Sequence, residues 1–446
     1  MDALLQDLFT TEAMREVFAP RMRVQRMLDF EAALAHAEAR CGVIPAEAAE
    51  LIGRACVAED FDLDALGAAA VGGGNLAIPL VAALTARVAV QSREAAGYVH
   101  WGATSQDVID TGLVLQLREG LRRIGDQLMA LAGCAAALAD AQRGTVMAGR
   151  TLLQQALPVT FGLKAAGWLD ALIRHQGRIS VIRESALALQ FGGAAGTLAS
   201  LGETAPAVAA ALAQELRLML PALPWHAQRD RLCEVATSLG LLTGSVGKIA
   251  RDVALMMQTE LGEALEPGAP GKGGSSTMPH KRNPVGCTVA VAAAMRVPGL
   301  VSTMLSAMVQ EHERGAGGWH AEWDTLPEIV LLASGALAHM TTVLKDLEVH
   351  PLRMRENLDA TRGLLMAEAV TMALAPRLGR GEAHRLVEAA CRRAVEQKQP
   401  LLVALAADTR VSALLTAAQL EQLLQPQAYL GSSHSFIDDV LKLHST

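Results

Sequence analysis

The chain has 446 residues, carries a formal net charge of −7, and is 51% apolar. That length allows two or three domains with a large core, and the acidic balance argues against nucleic-acid binding, which usually shows a basic stripe. Only two tyrosines, five tryptophans and seven phenylalanines occur, so the core is aliphatic and the composition favours helix over sheet. The N-terminal segment MDALLQDLFTTEAMREVF has no basic region followed by an apolar stretch and does not read as a signal peptide. No unbroken run of about 18 apolar residues is expected to cross a membrane. Cys41, Cys56, Cys134, Cys233, Cys287 and Cys391 lie far apart with no CxxC pair, the pattern of reduced, packed thiols in the cytosol. A soluble cytoplasmic protein with no nucleic-acid or membrane partner is expected.

Along the chain, Ile109, Leu113, Leu117, Leu121, Ile124, Leu128, Leu131, Ala135 and Leu138 recur about every 3.6 residues and predict one long helix. Further helices are predicted near 155–190, 285–310 and 323–347, the second of these kinked at Pro298. Leu232, Val235, Leu239, Leu242, Val246, Ile249, Val253 and Met256 alternate steps of three and four, the seam of a helix bundle. The predicted fold class is all-α, in three helical parts at roughly 1–104, 105–350 and 351–446.

The densest chemistry lies between Glu266 and Pro284. EPGAPGKGG (Glu266–Gly274) cannot continue a helix, because its prolines remove donors and its glycines raise the entropic cost of order. It is followed by Ser275, Ser276, Lys281 and Asn283 in GSSTMPHKRNP. The residues alone leave two readings open, a surface linker bearing a lysine or a flap that closes over a substrate. A phosphate-binding P-loop is excluded because Lys272 is followed by Gly273, and an HExxH zinc site because His312-Glu313 is followed by Ala316 at the second-ligand position.

This run resembles the GSSxMPxKxNP loop of the fumarase/aspartase/argininosuccinate lyase superfamily, with every defining position present. YVHWGATSQDVIDTG (Tyr98–Gly112) resembles the superfamily's HxGxTSxD block. The resemblance assigns His100, Thr104 and Ser105 to gripping a substrate carboxylate. Locally, Thr104 or Ser105 reads equally well as the N-cap of the helix starting near Asp107, and a helix N-terminus is itself an anion site. The resemblance implies a central bundle of five long helices, homotetramers with active sites shared between subunits, and no cofactor or metal.

A third block, GRTLLQQALPVTFG (Gly149–Gly162), departs from the superfamily. Many members carry a histidine that protonates the leaving group where this chain has Leu152. Many also carry a glutamate that orients it where this chain has Thr288. Expelling hydroxide leaves a conjugate acid of pKa about 15.7, whereas a departing carboxylate has one near ~4. The gap of about 12 units is worth at most roughly 16 kcal/mol. A carboxylate leaving group therefore dispenses with the acid, and an internal one means lactone opening.

Across essentially its whole length the chain resembles the bacterial 3-carboxy-cis,cis-muconate cycloisomerases of that superfamily, including QFGGAAGTLASLG, PWHAQRDRL, EHERGAGGWHAEWDTLP and LLQPQAYLG. The implied reaction converts 3-carboxy-cis,cis-muconate to 4-carboxymuconolactone in the protocatechuate branch of the β-ketoadipate pathway. Ser275 would exchange the proton, with Lys281 and Asn283 holding the enediolate-like intermediate. Thr104, Ser105, His100, Gln154 and Ser276 would bind carboxylates of the tricarboxylate substrate. His312, Arg314 and His320 are further candidates, unless they form a polar helix end whose charge Glu311, Glu313 and Glu322 offset. Arg15, Arg21 and Arg150 read as structural ion pairs. The alternatives are an adenylosuccinate lyase-like β-elimination enzyme and a non-catalytic structural relative.

Overall fold

The computed structural model describes residues 4–268, 273–274 and 277–445, so Ser275 and Ser276 lie outside the described residues. The chain divides into two compact units, Met1–Met129 with Arg174–Gly247 and Val289–His339, and Ala130–Ile173 with Lys248–Thr288 and Met340–Thr446. Helix α1 (Pro20–Arg40) opens with proline at its first position, where the missing N–H costs nothing. Five long helices follow: α2 (Ser105–Ala141), α3 (Phe161–Ser185), α4 (Asp230–Met256), α5 (Val285–Ala307) and α6 (Gly318–Lys345). Each contributes residues to both units.

The periodic series lie where their spacing put them. All eight α4 seam residues are buried, as are the α2 residues from Leu113 to Ala135, while Ile109 and Leu138 at the two ends are half-buried. Close packing of α4 on α5 depends on Gly247, where a Cβ would collide with Ala294. Helix α5 continues through Pro298 as one element. The C-terminal helices α7 (Ala367–Leu378) and α8 (Arg380–Glu396) enclose their own aliphatic cluster of Val370, Leu374, Leu386, Val387 and Leu401.

Strand, though minor, corrects the predicted helix at 155–190. Residues Val146–Thr151 (β1) and Gln154–Thr160 (β2) pair antiparallel, and α3 begins only at Phe161, where the Thr160 hydroxyl accepts the Leu163 N–H at 3.0 Å. The two-residue turn is Leu152-Leu153, both left-handed (φ 51° and 65°), with relative exposures of 97% and 79%. Such turns ordinarily take Asn-Gly. A second short pair joins Ala264–Leu265 (β3) to Glu348–Val349 (β4). Helices α2, α5 and α6 are long and apolar enough to cross a membrane by length and composition. Scattered polar residues still interrupt each of them, so none contains an unbroken apolar run of that length. The most apolar stretches of α2 and α5 are only 39% and 33% buried within the chain.

One core group stands out chemically. Glu38 on α1 is fully buried, and neither carboxylate oxygen has a partner among the described residues. Burial, and then the charge of Glu31, push its pKa up to about 9. The unfolded carboxyl titrates near ~4.3, so between that pH and about 9 the folded chain holds a proton the unfolded chain has lost. Stability therefore falls as pH rises through this window. Glu38→Gln, isosteric with the neutral acid, is expected to match the parent in urea unfolding near pH 5. At pH 8 it should exceed the parent by up to ~4 kcal/mol.

Candidate active site

The first turns of α2 carry two buried carboxylates, and four of the sequence blocks converge on them. Asp107 accepts backbone N–H groups from Thr104 (3.1 Å), Gly192 (3.0 Å) and Gly193 (2.9 Å). It also accepts from Gln190 Nε2 (3.3 Å) and His226 Nε2 (2.8 Å). Gly193 has φ 66°, and a Cβ there would sit 3.0 Å from the Gly102 carbonyl, so the loop fits only as glycine. One turn on, Asp110 accepts from Arg229 (2.6 and 3.1 Å), Gln106 Nε2 (3.0 Å) and Trp319 Nε1 (2.9 Å). Arg229 is itself fully buried and also pairs with Glu322, which accepts from Gln310 Nε2 at 3.2 Å. Burial would lower the Arg229 pKa, but Asp110 and Glu322 outweigh it and hold the guanidinium cationic.

This network places several expected binding residues. Thr104 stands at the start of α2, but its hydroxyl accepts from Arg314 Nη2 at 3.2 Å, and the reciprocal arm of the cap is Asp107. Arg314 also donates to the Ala194 carbonyl at 3.2 Å, and its Nε is buried with no partner among the described residues. That leaves a cationic donor beside a helix N-terminus, the chemistry that holds a carboxylate. Ser105 is the first residue of α2. His100, in a left-handed conformation (φ 60°), directs Nδ1 to Glu31 Oε1 at 2.6 Å. Burial would lower its pKa, but the charge and hydrogen bond of Glu31, with Asp107 behind, raise it overall.

The remaining candidates are more scattered. His320 donates Nε2–H to the Gly74 carbonyl (3.2 Å) and packs on Trp323. His312 is exposed with φ 48°. Glu322 was expected to offset these cations, but it is sequestered against Arg229, and Glu311 instead accepts the Ala316 N–H (2.8 Å) within its own loop.

Gln154, Lys281 and Asn283 belong to the second unit. Gln154 is exposed at the start of β2, and Lys281 is exposed. The Asn283 N–H donates to the Gly273 carbonyl at 2.8 Å. The start of the Gly-rich run is anchored rather than loose. Buried Glu266 accepts the Gly286 and Cys287 N–H groups (3.1 and 2.8 Å), capping α5, while Arg282 forms a paired contact with Glu348 (2.7 and 2.9 Å). Thr288 turns its hydroxyl back to the Pro284 carbonyl at 2.7 Å. The expected ion pairs form at Arg15 with Asp7 and at Arg150 with Glu263, whereas Arg21 donates to the Ala58 carbonyl. Among the described residues no group of three His, Cys, Asp or Glu side chains is arranged to hold a metal ion.

The lyase family profile matches residues 8–299. The chain belongs to the lyase family. A second profile, the adenylosuccinate lyase C-terminus, matches residues 363–440. The 3-carboxy-cis,cis-muconate cycloisomerase of Pseudomonas aeruginosa is 56% identical over 98% of this chain and 95% of its own length. That of Bradyrhizobium diazoefficiens is 54% identical over 99% and 98%. The crystal structure of the 3-carboxy-cis,cis-muconate lactonizing enzyme from Pseudomonas putida superposes with a TM-score of 0.95, at 51% identity, covering 100% of this chain and 99% of that one. The helical fold is thus that of the fumarase/aspartase lyases.

Sequence reasoning missed Asp110, Arg229, His226 and Glu31, and treated Asp107 only as a helix-start acid. The one available signal was for Asp110, a charged residue within the apolar series of α2; His226 and Arg229 precede α4 and gave none. Replacing Arg229 with Met leaves Asp110 and Glu322 buried without their cation. The expected loss is about 3–5 kcal/mol of unfolding free energy, read from urea denaturation of parent and variant.

Proposed function

We propose that this lyase-family chain converts 3-carboxy-cis,cis-muconate to 4-carboxymuconolactone. The observation that carries the reading is identity above half, over nearly the full length, to enzymes so named. The chemistry of two positions supports it. Leu152 projects from the β1–β2 turn where other superfamily members place their acid, and the Thr288 hydroxyl is committed to its own helix. A carboxylate leaving group needs neither.

In the closing direction, a carboxylate oxygen of the substrate bonds to an alkene carbon. Charge develops on the neighbouring carbon, α to another carboxylate, and the Ser275 hydroxyl delivers the proton there. In lactone opening the same serine, as alkoxide, removes that proton. Lys281 and Asn283 stabilise the enediolate-like intermediate, whose extra charge exists only while the proton is absent. Thr104, Ser105, His100, Gln154 and Ser276 hold carboxylates. Arg314, whose Nε has no partner among the described residues, takes another, and His312 and His320 complete the surround.

A homotetramer with shared sites belongs to this reading. It is supported by the apolar stretches of α2 and α5 left largely uncovered within one chain. So do the three-part division at 1–104, 105–350 and 351–446 and a cytoplasmic location. One observation favours a second reading, the match of residues 363–440 to the adenylosuccinate lyase C-terminus.

Mixing the purified protein with 3-carboxy-cis,cis-muconate should abolish the conjugated diene's ultraviolet absorbance, while adenylosuccinate stays intact. Cleavage of the purine compound with the muconate untouched would reverse the assignment. Lys281→Met should lower kcat by about 10²–10³ with little change in KM, and Arg314→Met should raise KM. Unchanged turnover in Ser275→Ala would remove the mechanism.

A further inference from the structure

We infer that Glu31 is a positioning residue for the reaction: it fixes the orientation of the His100 ring and holds it as an imidazolium, so that His100 presents a standing positive charge to a substrate carboxylate. This rests on the proposed role of His100 as a carboxylate-binding residue, and Glu31 itself need not touch substrate.

The geometry carries the argument. The His100 Nδ1 to Glu31 Oε1 distance of 2.6 Å is at the short end for a charge-assisted bond. The Glu31 side chain is 1% exposed, and its second oxygen is buried with no partner among the described residues. A carboxylate so enclosed must be compensated or neutralised, and the imidazole is the cation beside it. The neighbouring Glu38 shows the other outcome, since with no partner among the described residues it keeps its proton. Two acids on one face of α1 thus differ in that one of them has a histidine beside it.

The ring's other side is available. Nδ1 is committed to Glu31, while Nε2 has no partner among the described residues and the side chain is 17% exposed. The left-handed backbone at His100 is a conformation few residues other than glycine adopt, and it persists because the surroundings hold it. Near the pair are Glu38 on α1, Cys56 close to Glu31 and Asp29, and Asp107 on α2, itself bonded to His226. Arg314 lies beyond, bonded to Thr104. The acids favour a charged ring. As pH rises through the elevated pKa of His100 the positive charge is lost, and without Glu31 burial, which lowers the ring's pKa, brings that loss to lower pH.

Glu31→Gln keeps the shape and the acceptor but removes the charge. KM for 3-carboxy-cis,cis-muconate should begin to climb with pH at a lower pH in Glu31→Gln than in the parent, by about tenfold per pH unit once the ring is neutral, with kcat little changed. Glu31→Asp should restore most of the parent profile, and it carries the test if the glutamine variant does not fold. A loss equal at every pH, or profiles that coincide, overturns the inference.

A second readout needs no turnover. Diethyl pyrocarbonate acylates neutral imidazole, and its rate at His100, followed by peptide mass spectrometry of the full chain at pH 7.5, should be several-fold lower in the parent than in Glu31→Gln. Suppressed acylation in a parent that ignores the muconate would sink the functional reading while leaving the role of Glu31 standing. Equal acylation in parent and variant would sink the role of Glu31 whatever the substrate.

Discussion

A carboxylate enclosed by protein must find enough donors to replace water, and Asp107 finds them in three segments remote from one another in sequence. Its oxygens gather the N–H groups of the 190–193 loop, the ring of His226 and the backbone of Thr104. Asp110, one turn along the same helix, does the same for Arg229 and Trp319. An unpaired buried charge costs several kcal/mol, so these demands decide how the loops of this unit are arranged. Thr104, Arg314 and the 192–196 loop are together because the carboxylates beneath them have to be satisfied. The surface proposed to meet substrate is one side of a network whose other side is structural.

The helices were readable from the chain because burial in a bundle imprints its period directly on the sequence. The α4 seam from Leu232 to Met256 is apolar at every step and buried at every step. The blocks around His100, Lys281 and Arg314 were readable as motifs. What was hidden depends on partners distant in sequence. Glu31 lies 69 residues before His100, and nothing in the spacing of α1 distinguishes it from a surface acid. Glu322 sits among cations in sequence yet belongs to Arg229 in space. The β1–β2 hairpin was missed because its turn residues are leucines, which say helix, and because Thr160 hands the chain directly to α3.

The second unit shows the same economy. Glu266 closes the N-terminus of α5, Arg282 ties to Glu348, and Gly273 meets Asn283 through its carbonyl. The residues flanking the expected catalytic serine are therefore held by helix capping, an ion pair and a backbone bond. Chemistry placed on a glycine-rich segment still needs fixed ends, because a reacting group displaced by about 1 Å can lose much of its rate advantage.

The turn at Leu152 and Leu153 has a consequence of its own. Asparagine and glycine would relax both backbone positions, and two large side chains standing in water contribute nothing to a lone protomer. A chain that keeps leucines there surrenders local comfort for an apolar prong. Drift toward easier turn residues would be quick if the prong met only solvent. Its persistence would mark the hairpin tip as a part shaped by a neighbour, where selection acts on the assembly and not on the single fold.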